Sequence, residues 1–336
     1  MTLPQGKIPK EVLERIILKN LGANRSEVVL GPAAGIDFAV VKAGDNSLII
    51  SMDPITGALE NLGWLAVHVN ANDVATSGVE PAFFLSCIML AEGSDTRIVE
   101  RISSGMSRAA KALGMAIVGG HCEATPCLSN PIIVGCAFGL TKKNKYVTAA
   151  GAKARDKIIL TKSAAIEGTA ILASEKENQM KKAMDSKLLS NAKQFYENIS
   201  IVKEAVAAFK TGAVHAMHDP TEGGIAGGIH EIADASQLGF QVYEKRIPIR
   251  IETAKVCRFF NIDPLQLIAS GSLLIAVKPD CEDRVLDALK KEEIQAQTIG
   301  EFCKDRYTRS IVRENGSIEN LVRPKSDHLW KALRKD

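Results

Sequence analysis

Residues 218–233 read HDPTEGGIAGGIHEIA, and this stretch indicates more about the fold than any other part of the chain. Isoleucines recur in it every three or four residues, which is the spacing of one face of a helix. We therefore predict a strand–loop–helix unit around residues 215–235. The turn Thr221–Gly224 would open this helix, and a helix N-terminus attracts anions such as phosphate. Taken alone, the glycines of this turn are equally typical of an ordinary loop.

Outward from this unit, hydrophobic periodicity predicts helices and strands on both sides. Helices are predicted over residues 8–20, 59–77, 96–113, 251–260 and 281–290, a polar helical region over 175–209, and strands over 38–41, 47–52, 82–90, 115–118, 130–140, 157–161, 240–243, 273–277 and 295–302. A small, polar, glycine-containing segment at 149–156 predicts a domain boundary near residue 150. Residues 315–336 indicate a loosely held tail.

Composition narrows the class of protein. The chain has 336 residues, 46% hydrophobic and 24% charged, which is typical of a globular protein of two domains. The net charge of +3 and the 5% aromatic content argue against a nucleic-acid partner. No apolar run approaches the ~20 residues of a membrane span, and the charged N-terminus is not a signal peptide. Seven cysteines at irregular spacing indicate reduced thiols, so we expect a cytoplasmic protein with no membrane partner.

Four isolated acids are the main candidates for chemistry. Asp37, Asp53, Asp73 and Glu123 each lie beside small residues at the edge of an apolar run, and their segments contain no Lys or Arg. An ionised carboxylate in such a place must be paired or must bind a cation. Mg²⁺, completed by phosphate oxygens and water, is the natural partner of oxygen ligands. Capping of nearby backbone N–H groups is the alternative for any single one of these acids.

Glycine-containing turns support a metal–phosphate site. Gly31–Gly35, Gly119-Gly120, Ser163–Gly168 and Gly223-Gly224 adjoin predicted strands, and glycine lets backbone N–H groups approach a phosphate closely. The P-loop and the dinucleotide-binding glycine pattern are both missing. The pair His218-Asp219 is interpreted either as an acid/base pair or as a lock on the loop before the helix.

The order of the motifs is recognisable as a set. DFAV (37–40), SMDPIT (51–56), NDVATSGVEP (72–81), GGHCEATP (119–126) and HDPTEGGIAGGIHEIA (218–233) resemble the PurM-like ATP-binding superfamily. That superfamily includes aminoimidazole ribonucleotide synthetase, selenophosphate synthetase, thiamine monophosphate kinase and hydrogenase maturation proteins of the HypE type. The second half, with RIPI (246–249) and NIDPLQLIASGSLLIAV (261–277), is most similar to the HypE type.

The resemblance implies a fold of the α/β plus α+β class with two domains. Residues 1–150 would form an N-terminal α/β domain whose strands pair with a second subunit in a dimeric β-barrel. Residues 151–317 would form a C-terminal α+β domain, followed by a tail over 318–336. ATP would bind in a cleft between the domains, close to the dimer interface.

The resemblance also implies the site residues and the activity. Asp37, Asp53 and Asp73 match the positions that hold Mg²⁺, and Asp53, Asp73, His218 and Asp219 are the catalytic candidates. The residues expected to bind the nucleotide are Asp37, Gly119, Gly120, His121, Glu123, Ser163, Gly168, Thr221, Gly223 and Gly224. The implied function is ATP- and Mg²⁺-dependent activation of a substrate oxygen by phosphoryl transfer. The substrate is an unidentified small molecule or protein-bound group, and the expected partners are a second copy of the chain and a maturation protein.

Three departures from the relatives leave alternatives open. HypE proteins end in a reactive cysteine, whereas this chain ends LWKALRKD and its last cysteine is Cys303. Cys122 stands where relatives often carry Thr, and no cysteine precedes Cys87, so the N-terminal Cys–Lys pair of selenophosphate synthetase is absent. A non-catalytic nucleotide-binding scaffold in a maturation complex and aminoimidazole ribonucleotide synthetase are therefore the alternative functions.

Overall fold

The computed structural model describes residues 6–33, 35–56 and 60–334. Position 34 in the predicted Gly31–Gly35 turn and Leu59 at the predicted start of a helix lie outside the described residues. The first five residues of the predicted N-terminal domain and the last two residues of the predicted tail also lie outside the described residues.

The first half of the chain forms a mixed sheet with two helices on one face. Its strands are β1 (Val28–Leu30), β2 (Ala39–Ala43), β3 (Asn46–Ile55), β4 (Phe83–Ala91), β5 (Ala116–Thr125) and β6 (Ile132–Lys142), in the spatial order β1-β2-β3-β6-β4-β5. Only β4 and β5 pair in parallel among these described strands. The helices α2 (Leu62–Ala75) and α3 (Thr96–Ala112) connect strands. Ile49, Phe84 and Ile133 are fully buried, because every second strand residue faces a helix.

Two predicted elements of this half differ in the structure. The predicted helix over 8–20 is only α1 (Lys10–Arg15) followed by a 3₁₀ turn at Ile17–Lys19, and neither contains a buried residue. Short helices with no packed face gain little stability, which explains why the apolar spacing is not realised as one long helix. The predicted strand over 115–118 continues as β5 to Thr125, so the expected turn at Gly119-Gly120 is extended strand.

The second half contains a seven-stranded sheet within the described residues. Its strands are β7 (Lys157–Thr161), β8 (Val214–His218), β9 (Gly239–Tyr243), β10 (Leu274–Val277), β11 (Ala296–Cys303), β12 (Arg309–Val312) and β13 (Ile318–Asn320), in the order β13-β12-β9-β11-β7-β10-β8. The helices are α4 (Ile166–Glu175), α5 (Glu177–Met180), α6 (Ser186–Lys193), α7 (Val202–Lys210), α8 (Gly224–Ala235), α9 (Ile251–Phe260), α10 (Glu282–Lys291) and α11 (His328–Leu333). The predicted polar helical region over 175–209 is a set of short helices. Helix α4 begins earlier, inside the expected turn Ser163–Gly168.

The C-terminal segment is packed rather than loosely held. Leu329 and Ala332 of α11 are buried in the largest hydrophobic core, and Asp327 caps the helix by accepting a hydrogen bond from the Leu329 N–H. The expectation of a loose tail is therefore wrong for the residues up to 334. The helix buries apolar surface that the sequence pattern alone could not assign to a partner.

The two halves share one hydrophobic core. Residues of α2 such as Leu65 and Val69 belong to the same buried cluster as Ile171 of α4 and Phe260 of α9. Asn72 of α2 also bridges the halves, because its amide nitrogen donates to the Ile199 carbonyl at 2.8 Å and its oxygen accepts from a backbone N–H. The N-terminal sheet is open within one chain, so the dimeric barrel stays a prediction. The domain boundaries at 150 and 317 also stay predictions.

Of the helices in the described ranges, none is both long enough and apolar enough to cross a membrane.

Candidate functional site

A cleft of about 870 Å³ lies beside β3 and the N-terminal end of α8. It brings together carboxylates that are far apart in the sequence. The three aspartates predicted to hold Mg²⁺ line this cleft together with two glutamates that were not predicted: Asp37, Asp53, Asp73, Glu222 and Glu231. Three of the four lone acids that were expected to converge thus line one cleft, whereas Glu123 does not, and the roles of all four stay predictions.

A chain of short hydrogen bonds joins Asp37, His218 and Glu231. The Nδ1 atom of His218 lies 2.7 Å from Oδ2 of Asp37, and its Nε2 atom lies 2.7 Å from Oε2 of Glu231. Both ring nitrogens face carboxylates, so both must carry protons and the ring is an imidazolium. Burial alone would lower the pKa of His218, but Asp37 and Glu231 raise it well above its ordinary value. The imidazolium therefore cannot serve as a base or as a metal ligand.

Asp73 contacts a hydroxyl that has two acceptor neighbours. Ser51 Oγ is 2.6 Å from Asp73 Oδ2 and 2.7 Å from the Asp37 carbonyl oxygen. A hydroxyl has one proton to donate, so protonation of Asp73 would allow both contacts to be hydrogen bonds. Burial, with the nearby carboxylates of Asp219 and Asp53, raises the pKa of Asp73 well above its ordinary value. Without a cation nearby, the charged form of Asp73 is disfavoured.

Asp219 is the least satisfied carboxylate of the site. It is fully buried, and among the described residues neither of its side-chain oxygens has a hydrogen-bond partner. One of these oxygens lies within 4.8 Å of ligand atoms of Asp37 and His218. Burial and the Asp37 carboxylate raise the pKa of Asp219 to about 7, although the His218 imidazolium opposes this. A buried carboxylate without a partner is destabilising, which indicates that its partner is a bound cation or a water molecule.

Asp53 is held in place through its backbone. Its N–H donates to Asn70 Oδ1 at 2.7 Å, and Asn70 Nδ2 donates to the carbonyl of Asp53 at 3.3 Å and to that of Ala66 at 2.8 Å. The side chain of Asp53 is thus free to face the cleft while β3 is clamped to α2. Burial raises the pKa of Asp53, and the ammonium of Lys7 partly offsets this effect. Sequence reasoning missed Asn70, because a buried amide in an apolar helix has no local pattern.

The metal-free protein is expected to lose stability as the pH rises from about 4 to about 7. Burial raises the pKa of Glu167 in α4 to about 7, the same value as for Asp219, while the ordinary values are 4.5 and 3.8. Between these limits the folded protein holds protons that the unfolded chain has released, so their contribution is present below about pH 4 and is lost as the pH rises through about 7.

Urea unfolding in EDTA at several pH values would measure this effect. Burial opposes ionisation of Glu231 too, but Lys7 and His218 lower the pKa of Glu231 to about 2, so its contribution is lost only as the pH falls below about 4. A free energy of unfolding that rises steadily from pH 5 to pH 8 would contradict the raised pKa values of Glu167 and Asp219.

The predicted turn Thr221–Gly224 lies at the N-terminus of α8 and reaches the cleft. Gly224 has a φ of +60°, and an added Cβ would lie 2.5 Å from the Leu267 carbonyl oxygen, so only glycine is accommodated. The Gly223 N–H donates to Oδ2 of Asp327 at 2.6 Å. A carboxylate of the C-terminal segment therefore occupies one of the N–H groups expected to bind phosphate.

The predicted segment Ser163–Gly168 lies behind the cleft rather than on its surface. Ser163 Oγ is buried, with no hydrogen-bond partner in the described part of the chain, and Gly168 already belongs to α4. The Gly168 N–H donates to the carbonyl of Ile268, so the helix start is bound to a neighbouring loop. Neither Ser163 nor Gly168 is among the described residues that line the cleft.

The predicted residues of β5 do not meet the carboxylate cluster within one chain. Asp53 pairs with Gly135, Gly135 with Ser86, and Ser86 with Gly120, so Gly119 and Gly120 lie three strands away, about 14 Å. His121 and Glu123 instead pair with each other at 3.1 Å on the exposed edge strand. Hydrogen bonds from Thr125 and His121 lower the pKa of Glu123, so this carboxylate is stabilised without a metal.

Two charged residues of the cleft were missed from the sequence. Glu231 Oε2 lies 2.7 Å from Nε2 of His218. Lys7 Nζ donates to Thr221 Oγ1 at 3.0 Å. Both contacts join residues that are distant in the chain or separated by a helix, so no local spacing could have revealed them.

Comparison with known proteins places these features in a family context. The model of the AIR synthase related protein, N-terminal domain, matches residues 35–141, and that of the C-terminal domain matches residues 153–313. A carbamoyl dehydratase HypE of Rhizobium leguminosarum is 30% identical over 251 residues, covering 73% of this chain and 69% of that protein.

Solved structures have the same architecture. A HypE–HypF complex matches with a TM-score of 0.76 at 21% identity, covering 93% of this chain and 99% of the matched one. A hydrogenase maturation protein HypE in complex with ATP matches with a TM-score of 0.71 at 21% identity, covering 98% of each chain. These likenesses confirm the predicted two-domain fold of the α/β plus α+β class.

Proposed function

Because the chain belongs to the AIR synthase related family, we propose that it is an ATP- and Mg²⁺-dependent enzyme that activates a substrate oxygen by phosphoryl transfer. The observation that carries this proposal is the convergence of Asp37, Asp53 and Asp73 with the unpartnered carboxylate of Asp219. Four carboxylates in one partly buried place repel one another unless a cation lies among them. Oxygen-only donors are the set that Mg²⁺ prefers.

The residues present fit a magnesium ion. Asp53, Asp73 and Asp219 all have a raised pKa, so each would be stabilised in its charged form by a divalent cation. These three and Asp37 would hold the ion, which would supply charge neutralisation for the phosphate oxygens of a nucleotide. His218 contributes a fixed positive charge behind Asp37 and orients that carboxylate. This geometry favours the interpretation of His218 as a lock over the acid/base interpretation.

The turn Thr221–Gly224 would contact the phosphates through its backbone. The N-terminus of the twelve-residue helix α8 favours negative charge, and the glycines leave room for close approach. The Gly223 N–H is bound to Asp327, so an incoming phosphate must share this N–H or release the carboxylate. The role of this chain is then to position the phosphates and to neutralise their charge.

The proposed substrate class is an amide of the carbamoyl type, since the Rhizobium relative is named for a carbamoyl group. Its oxygen would form a bond to the γ-phosphorus while the bond to ADP breaks, and loss of phosphate with two N–H protons would leave a nitrile. Among the cysteines of the described residues, Cys136 lines the cleft. Burial raises the pKa of its thiol, which disfavours the thiolate that would carry a group. We therefore place the carbamoyl group on a separate molecule.

An ATPase assay with candidate substrates tests the proposal. Release of ADP and phosphate should depend on Mg²⁺ and should be stimulated by a carbamoylated thiol or peptide. If aminoimidazole formation from formylglycinamidine ribonucleotide is the stimulated reaction instead, the chain is an aminoimidazole ribonucleotide synthetase. Tight ATP binding with no turnover on any substrate would favour the non-catalytic scaffold in a maturation complex.

A homodimer is proposed from the N-terminal sheet. Helices α2 and α3 cover one face, while on the other face Met52 is 63% exposed and Leu140 is 52% exposed. Leu85, Cys136 and Phe138 share that face in register and are only partly buried. An apolar sheet face of several strands marks an interaction site, and pairing with a second copy would cover it. In such a dimer the edge strand β5 would belong to the interface.

Leu140→Glu is expected to dissociate this dimer, because it places a charge on the apolar face. Analytical ultracentrifugation should show a shift of the dissociation constant by 100-fold or more, the order expected for burial of an unpaired charge. Val322→Glu is the matched control, since Val322 is 62% exposed outside the N-terminal sheet. If both variants sediment like the wild type, the dimer does not use this face.

A maturation protein is the proposed macromolecular partner. Support comes from the solved complex in which a HypE protein is bound to HypF. Co-sedimentation of the purified chain with a candidate carbamoyl-transferring protein would test this pairing, and separate sedimentation at micromolar concentrations would contradict it.

A further inference from the structure

A second cavity, of about 970 Å³, lies between helix α2 of the first half of the chain and helix α7 of the second. We call it the junction pocket, and it shares none of its described lining residues with the carboxylate cleft. Asp73 of α2 lines the cleft, whereas His68 of the same helix lines the junction pocket. Five positions along a helix correspond to a rotation of about 140°, so different sides of α2 line two separate cavities.

His68 is a buried polar residue of the junction pocket and is only 3% exposed. Among the described residues, neither of its ring nitrogens has a hydrogen-bond partner. Burial and, to a smaller extent, the ammonium of Lys162 lower the pKa of His68 to about 4, so the ring is neutral at pH 7 and offers one donor and one acceptor. A buried polar group without a partner is destabilising, which indicates that the partner of His68 comes from outside the chain.

The least exposed charged residues of the pocket already have partners. Lys162 and Glu204 form an ion pair at 2.7 Å, and Lys162 Nζ also donates to two backbone carbonyls. The indole N–H of Trp64 donates to the Tyr196 carbonyl at 2.9 Å. Two further lysines of the pocket pair with glutamates: Lys203 with Glu292 and Lys210 with Glu80. An incoming molecule therefore finds the imidazole of His68 unoccupied and these groups engaged.

The other lining residues favour an uncharged ligand. Arg250, which lies over the Phe195 ring at 4.8 Å, and the exposed Glu197 and Glu293 bring charges of opposite sign to the same pocket, so neither an anion nor a cation is favoured overall. Apolar side chains supply much of the remaining surface: Pro81, Ala82, Leu113, Val206 and Ala207. Apolar walls with a few placed polar groups are typical of pockets that bind small molecules.

We propose that the junction pocket binds a small uncharged molecule with an amide-type edge, and that His68 is the hydrogen-bonding group that recognises it. An amide carries both a donor and an acceptor, so it can pair with either ring nitrogen in either tautomer. The ring of Trp64 lies 4.3 Å from the imidazole and would contact the bound molecule. This site goes beyond the proposed phosphoryl transfer and does not depend on it.

Titration with three molecules of nearly the same shape tests the proposal, because benzamide is uncharged, benzoate is an anion and benzamidine is a cation. The full-length Trp330→Phe protein keeps Trp64 as its one tryptophan, so its fluorescence reports on the pocket. Benzamide should produce a saturable change with a dissociation constant of about 1 mM, as expected for a fragment of this size. Benzoate and benzamidine should bind at least tenfold more weakly.

Variants of His68 in the same background locate the contact. His68→Phe removes both ring nitrogens and should weaken benzamide binding at least tenfold, the loss expected when a hydrogen bond disappears at a buried site. His68→Gln keeps a donor and an acceptor and should retain most of the affinity. His121→Phe changes an exposed histidine of β5, far from the pocket lining, and should bind benzamide like the Trp330→Phe protein.

Three results would overturn the inference. If benzamide gives no saturable change up to about 20 mM, the pocket does not take this class of ligand. If His68→Phe binds benzamide as tightly as the protein with His68, a water molecule and not a ligand is the partner of the imidazole. If benzoate or benzamidine binds as tightly as benzamide, the ligand is charged. Circular dichroism checks that each variant is folded, and His68→Leu replaces His68→Phe if the phenylalanine variant is not.

Discussion

Asp53→Asn is expected to lower the affinity for Mg·ATP by about 3 kcal/mol, more than 100-fold, while the protein stays folded. The substitution removes one charged oxygen from the cluster but keeps the shape of the side chain. The backbone of residue 53 would still be clamped by Asn70, because those hydrogen bonds use only the N–H and the carbonyl. Calorimetry with a non-hydrolysable ATP analogue and Mg²⁺ measures the loss.

Asp45→Asn provides the control for Asp53→Asn. Asp45 lies in the exposed turn between β2 and β3, so the same change of charge occurs outside the cleft. The control should bind the nucleotide like the wild type. Unchanged affinity in Asp53→Asn would remove this residue from the site, and an equal loss in both variants would indicate a general effect of net charge.

Asp219→Asn is expected to stabilise the metal-free protein and to abolish metal binding. The folded protein holds the pKa of Asp219 at about 7 against an ordinary value of 3.8, so ionising this carboxyl at pH 8 opposes folding. Neutralising it should raise the free energy of unfolding by about 1–3 kcal/mol at pH 8 in EDTA. The same change removes a charged oxygen from the proposed Mg²⁺ site. The free energy of unfolding should therefore rise while the affinity for the metal falls.

Asp327→Asn is the contrasting variant for this test. Asp327 is as buried as Asp219, but its two oxygens accept hydrogen bonds from the N–H groups of Leu329 and Gly223. Burial raises the pKa of Asp327 to about 6, less than for Asp219, and an asparagine has only one acceptor oxygen, so this variant should gain less stability in urea unfolding than Asp219→Asn. A destabilised Asp219→Asn protein would mean that Asp219 has a structural partner, and its proposed role in the site would fail.

The convergence of the three aspartates could be predicted from local sequence because each one breaks an otherwise apolar segment. Asp37 precedes β2, Asp53 lies in β3 and Asp73 in α2, and strands and helices of this pattern bring such positions to one edge. The turn Thr221–Gly224 was recognisable for a similar reason, since its glycine pair directly precedes isoleucines at helical spacing. These features depend on short stretches of chain.

The remaining parts of the site depend on long-range contacts. Glu231 contacts His218, which lies on the other side of the turn Thr221–Gly224 in the chain. Asp327 contacts Gly223 across 104 positions of the sequence. Lys7 contacts Thr221 across 214 positions. The assignment of Gly119-Gly120 as a turn was wrong because glycines in strand β5 have the same local signature as glycines in a loop. Composition and spacing carry no information on such pairings.

A crystal structure with Mn²⁺ and a non-hydrolysable ATP analogue tests the central claim most directly, because anomalous scattering locates the metal. The account predicts a peak within about 2.3 Å of carboxylate oxygens of Asp53, Asp73 or Asp219, with the triphosphate against the turn Thr221–Gly224. A nucleotide bound at another surface, with no metal peak among these carboxylates, would contradict it.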